Sequence, residues 1–154
     1  MSASLVALLC IALTGSSAAC STAVAGRGAT TTGAVLTSHS NDGDGDVAGN
    51  LIRVPAATHL PAGALRATRG GGVPQVEHTF AYFTKPGGYA SLNSEQVGLS
   101  ESTCSGVFDA VVSSGKLSIV DLSQLAMERA RTALEAVTLL GNLSETAGYN
   151  DNAE

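Results

Sequence analysis

The chain has 154 residues, 44% of them hydrophobic and 14% charged, with a formal net charge of −5 at pH 7 and three cysteines. That length suffices for one domain with a modest core and calls for no second one. The acidic balance and the absence of any basic block argue against nucleic acid or an anionic membrane surface as the partner.

The first element is an apolar run from Leu5 to Leu13, too short to span a bilayer as a helix, followed by the small residues Thr14 to Ala19 that a signal peptidase accepts. Residues 1–19 are therefore expected to be a secretory signal, although the α-amine of Met1 is the only positive charge before the run. A hydrophobic first strand or helix of the fold is the alternative. Cys20 also follows small residues as a lipoprotein cysteine would, but Ser17 stands where leucine is wanted there. Cleavage after Ala19 would make Cys20 the first residue of a mature chain of residues 20–154, secreted or held in the lumen of the secretory pathway. An α-amine and a thiol would then share one residue, a base beside a nucleophile. Cys10 leaves with the leader, so in an oxidising compartment the alternative is a disulfide between Cys20 and Cys104, in a secreted binding or structural domain without catalysis.

Ser21 to Gly26 and Gly33 to His39 are β-prone runs separated by Arg27 to Thr32, a strand, turn and strand that start at Cys20 and end near His39 and Asp42. Asn41 to Asp46 alternates aspartate and glycine, but no frame supplies the closing glutamate of an EF-hand, and a solvated turn is the simpler reading. Leu51 to Pro55 is a short strand stopped by proline. Ala56 to Pro74 reads as a Gly/Pro/Ala-rich loop without legible chemistry, and Glu77 to Phe83 as one strand with His78 facing solvent. Lys85 to Gly88 is a turn. Tyr89 to Asn93 and Val97 to Thr103 read as two strands around Ser94 to Gln96. Ala90, Ser91, Gly98 and Ser100 leave room there for another backbone or a substrate, the alternative being a tightly packed hairpin.

From Leu122 the period becomes helical and continues to Leu140, with Ser118 and Asp121 as an N-terminal cap and Gly141 as the stop. Burial of Leu122, Leu125, Leu134, Val137 and Leu140 at about 1.5 to 3 kcal/mol each would supply much of the core energy. Arg131 and Glu135 fall one turn apart as a surface pair. Asn142-Leu143-Ser144 is a glycosylation sequon, compatible with secretion.

Four stretches in this order resemble the C69 family of cysteine dipeptidases: Cys20-Ser21-Thr22 after a leader, Gly33 to Asp42, Leu51 to Ala56, and Leu92 to Thr103. The helical segment Leu125 to Ala130 fits as well, so the resemblance covers the chain from Cys20 to about Tyr149. That family is related to secernins and, more distantly, to choloylglycine hydrolases and penicillin acylases of the N-terminal-nucleophile superfamily. The resemblance implies an α+β fold of the αββα sandwich type and hydrolysis of short peptides, dipeptides above all. It places Cys20 on the nucleophile and Asp42 on the acidic residue beneath it. His39 falls where the commoner pattern has a thiolate-stabilising arginine, and Thr103 near the substrate and oxyanion region. No cofactor, no metal and, once the leader is gone, no membrane contact is expected. Family members run to several hundred residues, and in the wider superfamily an asparagine and an arginine from the later half complete the site. The chain is therefore expected to be the N-terminal part of such a dipeptidase.

Overall fold

A computed structural model describes residues 20–40, 50–60, 64–85, 90–102 and 115–150. The expected leader, the acidic loop from Asn41 and the turn after Lys85 all lie wholly or mainly outside these residues. The fold is mixed α+β, built mostly from antiparallel strands with two helices among the described residues. β1 (Ser21–Ala25) and β2 (Leu36–Ser40) form an antiparallel hairpin around a 3-10 turn at Arg27–Ala29. The second strand starts three residues later than Gly33, because Gly33 has a φ of +70° and Thr30 Oγ1 donates to the Ala34 carbonyl at 2.7 Å, which holds the approach as a turn.

β3 (Ile52–Val54) ends where Pro55 removes a backbone donor. The segment Ala56 to Pro74, expected to be a loop, instead contains β4 (Ala57–Thr58), β5 (Leu65–Thr68) and β6 (Gly71–Pro74). β5 and β6 pair from Leu65↔Pro74 to Thr68↔Gly71, leaving Arg69 and Gly70 as the turn. Gly70, one of the glycines that suggested a loop, serves close packing. A Cβ on Gly70 would come within 2.7 Å of the Gly115 carbonyl oxygen, and one on Gly115 would collide with the backbone of Gly148 and Tyr149. Lys116 threads between these two elements, its carbonyl accepting from the Gly70 N–H at 3.2 Å and its own N–H reaching the Ala147 carbonyl at 3.0 Å.

Glu77 to Phe83 is likewise not one strand. β7 (His78–Thr79) pairs with β4, while β8 (Tyr82–Thr84) lies in another sheet. Between them the Phe80 N–H donates to the Glu128 carbonyl at 2.9 Å, and the Ala81 carbonyl accepts from the Ser94 N–H at 2.8 Å, so tertiary partners replace ladder partners there. β9 (Ala90–Asn93) and β10 (Gly98–Ser100) form the expected hairpin, its turn closed with Gln96 at a φ of 64°. The four-stranded antiparallel sheet has the order β10-β9-β8-β3.

The single helix expected from Leu122 to Gly141 is two: α1 (Ile119–Arg129) and α2 (Ala133–Ala147). Ser118 and Asp121 form a complete capping box on α1, as expected. The break follows from Asn93, which is only 4% exposed. Its Nδ2 donates to the carbonyls of Met127 (3.1 Å) and Ala130 (2.7 Å), which meets the orphan acceptors of a helix end. Thr132 then caps α2 by accepting from the Glu135 N–H at 3.1 Å, and the Glu135 carboxylate accepts from the Arg131 N–H at 2.7 Å. The pair expected on one helix surface is thus a link across the break. Gly141 sits inside α2 with open space around it, and the stop is Gly148 at a φ of +75°. The break also turns Leu134 (76% exposed) and Val137 (67%) away from the core, while Leu122 and Leu125 remain buried.

α1 packs on both sides. Met127, Ala126 and Ala130 meet Tyr82 and Val97 from the sheet, and Leu122 and Leu125 meet Val73 and Leu117, with Leu140 of α2 touching both groups. Arg66 of β5 ties the second hairpin to α1, its Nη2 3.0 Å from Glu128 Oε1 and 2.6 Å from Gln124 Oε1. Burial, and then the Glu128 charge, raises the Tyr82 phenol above its ordinary 10.0, with Arg66 opposing.

Replacing Asn93 with alanine should destabilise the chain by at least about 3 kcal/mol, because two backbone donors and two acceptors lose their partner at a buried site. Urea unfolding measures this, and a loss below about 1 kcal/mol would contradict the assignment. Tyr82 generates a pH dependence. The folded chain keeps its proton more tightly than the unfolded chain, so its contribution is complete below the unfolded pKa of 10.0 and is lost as the pH rises through the higher native value. Stability should fall above about pH 10, and Tyr82→Phe should flatten that fall in melts recorded from pH 8 upward.

Candidate active site

Cys20 lies one residue ahead of β1 and is half-buried. The hairpin register pairs Ser21 with Ser40 and Thr22 with His39. Residues two apart in an extended chain share a face and lie about 7 Å apart, which would put Cys20 and Thr22 on one side. His39 lies directly across from Thr22, so with the same alternation continued to Cys20 it would be a diagonal neighbour at roughly 7 to 8 Å backbone to backbone. Its ring is half-buried, and Nε2 has no hydrogen-bond partner among the described residues. The Ser21 N–H donates to Ser40 Oγ at 3.1 Å, which holds the open end of the hairpin together beside Cys20.

The register places His39 across from Thr22, and strand alternation extended one residue past Ser21 would put Cys20 on that same face. Asp42, Thr103 and Cys104 lie outside the described residues. Ser102, the neighbour of Thr103 in sequence, shares a hydrogen bond with Thr22 across 2.8 Å between the two hydroxyl oxygens. This contact joins the β1–β2 hairpin to the chain leaving β10.

A cleft of about 470 Å³ opens between β10 and the two helices. Leu99, Leu122, Ala136 and Leu140 make its walls apolar, while Ser100, Glu101, Ser102 and Ser123 supply its polar groups. Glu101 is only 6% exposed. Sequence reasoning did not assign Glu101, Ser102 or Thr22 a role. A carboxylate between two serines at the end of an otherwise apolar and small-residue strand was the available signal for Glu101, whereas the Thr22–Ser102 contact spans 80 residues and had none.

His78 is exposed, as expected, with Nε2 3.5 Å from the Glu77 carboxylate. His59 Nε2 is within 3.0 Å of Thr79 Oγ1, a bond between neighbouring segments of the β4–β7 pair. Among the described residues no group of three or more His, Cys, Asp or Glu stands where it would hold a metal ion, and no helix is long and apolar enough to cross a membrane. Asn142 of the sequon is exposed on α2.

Comparison of the chain with protein-family models, with curated proteins and with solved structures returns no match.

Proposed function

We propose that this chain is the N-terminal part of a cysteine-type dipeptidase of the C69 family, secreted and activated when removal of residues 1–19 exposes Cys20. The observation that supports this most is the β1–β2 register, which sets His39 across from Thr22, two residues after the cysteine that precedes β1. The α+β architecture is compatible with the αββα sandwich of N-terminal-nucleophile hydrolases. In that reading the four-stranded sheet and the two helices are one sheet and one helical layer of it.

The chemistry follows from the residue types. An α-amine titrates near pH 7.7 to 8.0 and an ordinary thiol near 8.5, so the amine of Cys20 can take the proton of its own thiol near neutral pH. The thiolate attacks the peptide carbonyl, the C–N bond breaks, and the amine passes the proton to the departing nitrogen. A thioester remains on Sγ. The amine then takes a proton from water, hydroxide attacks the thioester carbonyl, and the thiol is regenerated with release of the acid. Asp42 would orient the ammonium, and His39, when protonated, would favour the thiolate. Thr103 and residues of the later half would complete the oxyanion region, which is usually the largest contribution to rate.

Cys20→Ser in the full-length protein should lower dipeptide hydrolysis by about 10³-fold or more, and undiminished turnover would end the proposal. Mass spectrometry of the native protein before and after reduction is a second check. A Cys20–Cys104 bridge would contradict a nucleophilic Cys20 and favour a secreted binding or structural domain.

A further inference from the structure

We propose that the groove between β7 and the α1–α2 junction binds a small organic acid, with its carboxylate on the guanidiniums of Arg129 and Arg131 and its apolar body along Val76, Leu134 and Leu139. The site goes beyond the reading of Cys20 and shares no residue with it. A cavity of about 290 Å³ opens here, lined by Val76, His78, Phe80, Arg129, Arg131 and Glu135. Two of the chain's eight basic side chains therefore border one small space. The helix break brings them there. Ala130, between them, is extended at φ −94° and ψ 136°, and an extended residue returns its two neighbours to the same side.

Both guanidiniums are held in place, and neither is neutralised. Arg129 is half-buried, and its Nη2 donates to the Pro74 carbonyl at 3.0 Å and to Gln75 Oε1 at 3.4 Å, both uncharged acceptors. Its buried Nε has no hydrogen-bond partner among the described residues. Burial pulls this guanidinium below its ordinary pKa, Glu128 opposing and Arg66 adding to the fall. Arg131 Cζ lies over the Phe80 ring, 5.6 Å from its centroid. Among the described residues neither guanidinium has a carboxylate within ion-pair distance. Glu128, next to Arg129 in sequence, is paired with Arg66 at 3.0 Å, and Glu135 Oε2 accepts from the Arg131 backbone N–H at 2.7 Å. A cation already ordered and partly stripped of water gains more from an anion than a freely solvated one does.

The charges choose the anion. Two arginines stand against Glu135, while His78 lies 3.5 Å from the Glu77 carboxylate, so the lining carries a single net positive charge. That matches a monoanionic carboxylate, which the arginine fork holds through two parallel bonds, better than a phosphate dianion. The rest of the ligand follows from the walls. The cavity continues along α2 into a second one of about 660 Å³ that shares Val76, Arg129 and Glu135 and adds Leu134, Thr138 and Leu139. Leu134 is 76% exposed, so an apolar body lying there covers surface that the fold leaves in water. The ligand chemistry is therefore a monocarboxylic acid with an apolar chain of several carbons.

Calorimetric titration of the full-length protein with octanoate, acetate, 1-octanol and octyl phosphate tests this. Octanoate should bind about 10-fold or more tightly than acetate, which lacks the apolar body, and than 1-octanol, which lacks the charge. Octyl phosphate should bind no more tightly than octanoate. Arg131 is exposed, so Arg131→Gln leaves the core intact and should weaken octanoate by about 10-fold. Leu134→Ser, at a second exposed position, should weaken octanoate by about 3-fold and leave acetate unchanged. Equal affinity for octanoate and 1-octanol or acetate, or octanoate binding that survives Arg131→Gln or Leu134→Ser undiminished, would overturn the inference. Tighter binding of octyl phosphate would overturn the choice of a carboxylate.

Discussion

Four hydrogen bonds converge on the Asn93 side chain, and much of the fold depends on them. Its amide nitrogen holds the carbonyls of Met127 and Ala130, while its carbonyl oxygen accepts the N–H groups of Glu95 and Val97. One residue thus closes the β9–β10 turn and ends α1 at the same point. An amide suits this position because it offers two donors and two acceptor sites in a single plane. Aspartate would face the helix carbonyls with like partial charge, and an apolar residue would strand the Met127, Ala130 and Val97 groups in the interior.

The consequences spread from that point. With α1 ended, Thr132 and Glu135 start α2 in a new direction, and Leu140 reaches both halves of the core. β10 is held against the helices through the turn that Asn93 closes, so the cleft between them is fixed by the same bonds. The residues of the β1–β2 hairpin are mostly exposed, and the contact between Thr22 and Ser102 links it to this framework.

Local signals were read correctly where local physics decides the structure. The Ser118–Asp121 cap, the strand that stops at Pro55 and the hairpin around Ser94–Gln96 each rest on a few adjacent residues. The helix break was also written locally, since Thr132-Ala133-Leu134-Glu135 has the spacing of a cap, but an uninterrupted apolar period across it hid the signal. The β5–β6 hairpin and the split between β7 and β8 were not legible. Gly70 is there for the sake of Lys116, and Phe80 leaves the ladder for Glu128, partners about fifty residues away. At the candidate site, the pairing of Thr22 with His39 follows from strand periodicity once the turn is known. The cleft beside them is tertiary, and no single stretch announced it.

The central claim is that cleavage creates the catalytic group, so the α-amine must belong to Cys20 itself. N-terminal sequencing of the mature protein recovered from its native source tests this directly. The account predicts that the first residue is Cys20. A retained leader, or a start even one residue away, would deprive the thiol of its base and contradict it.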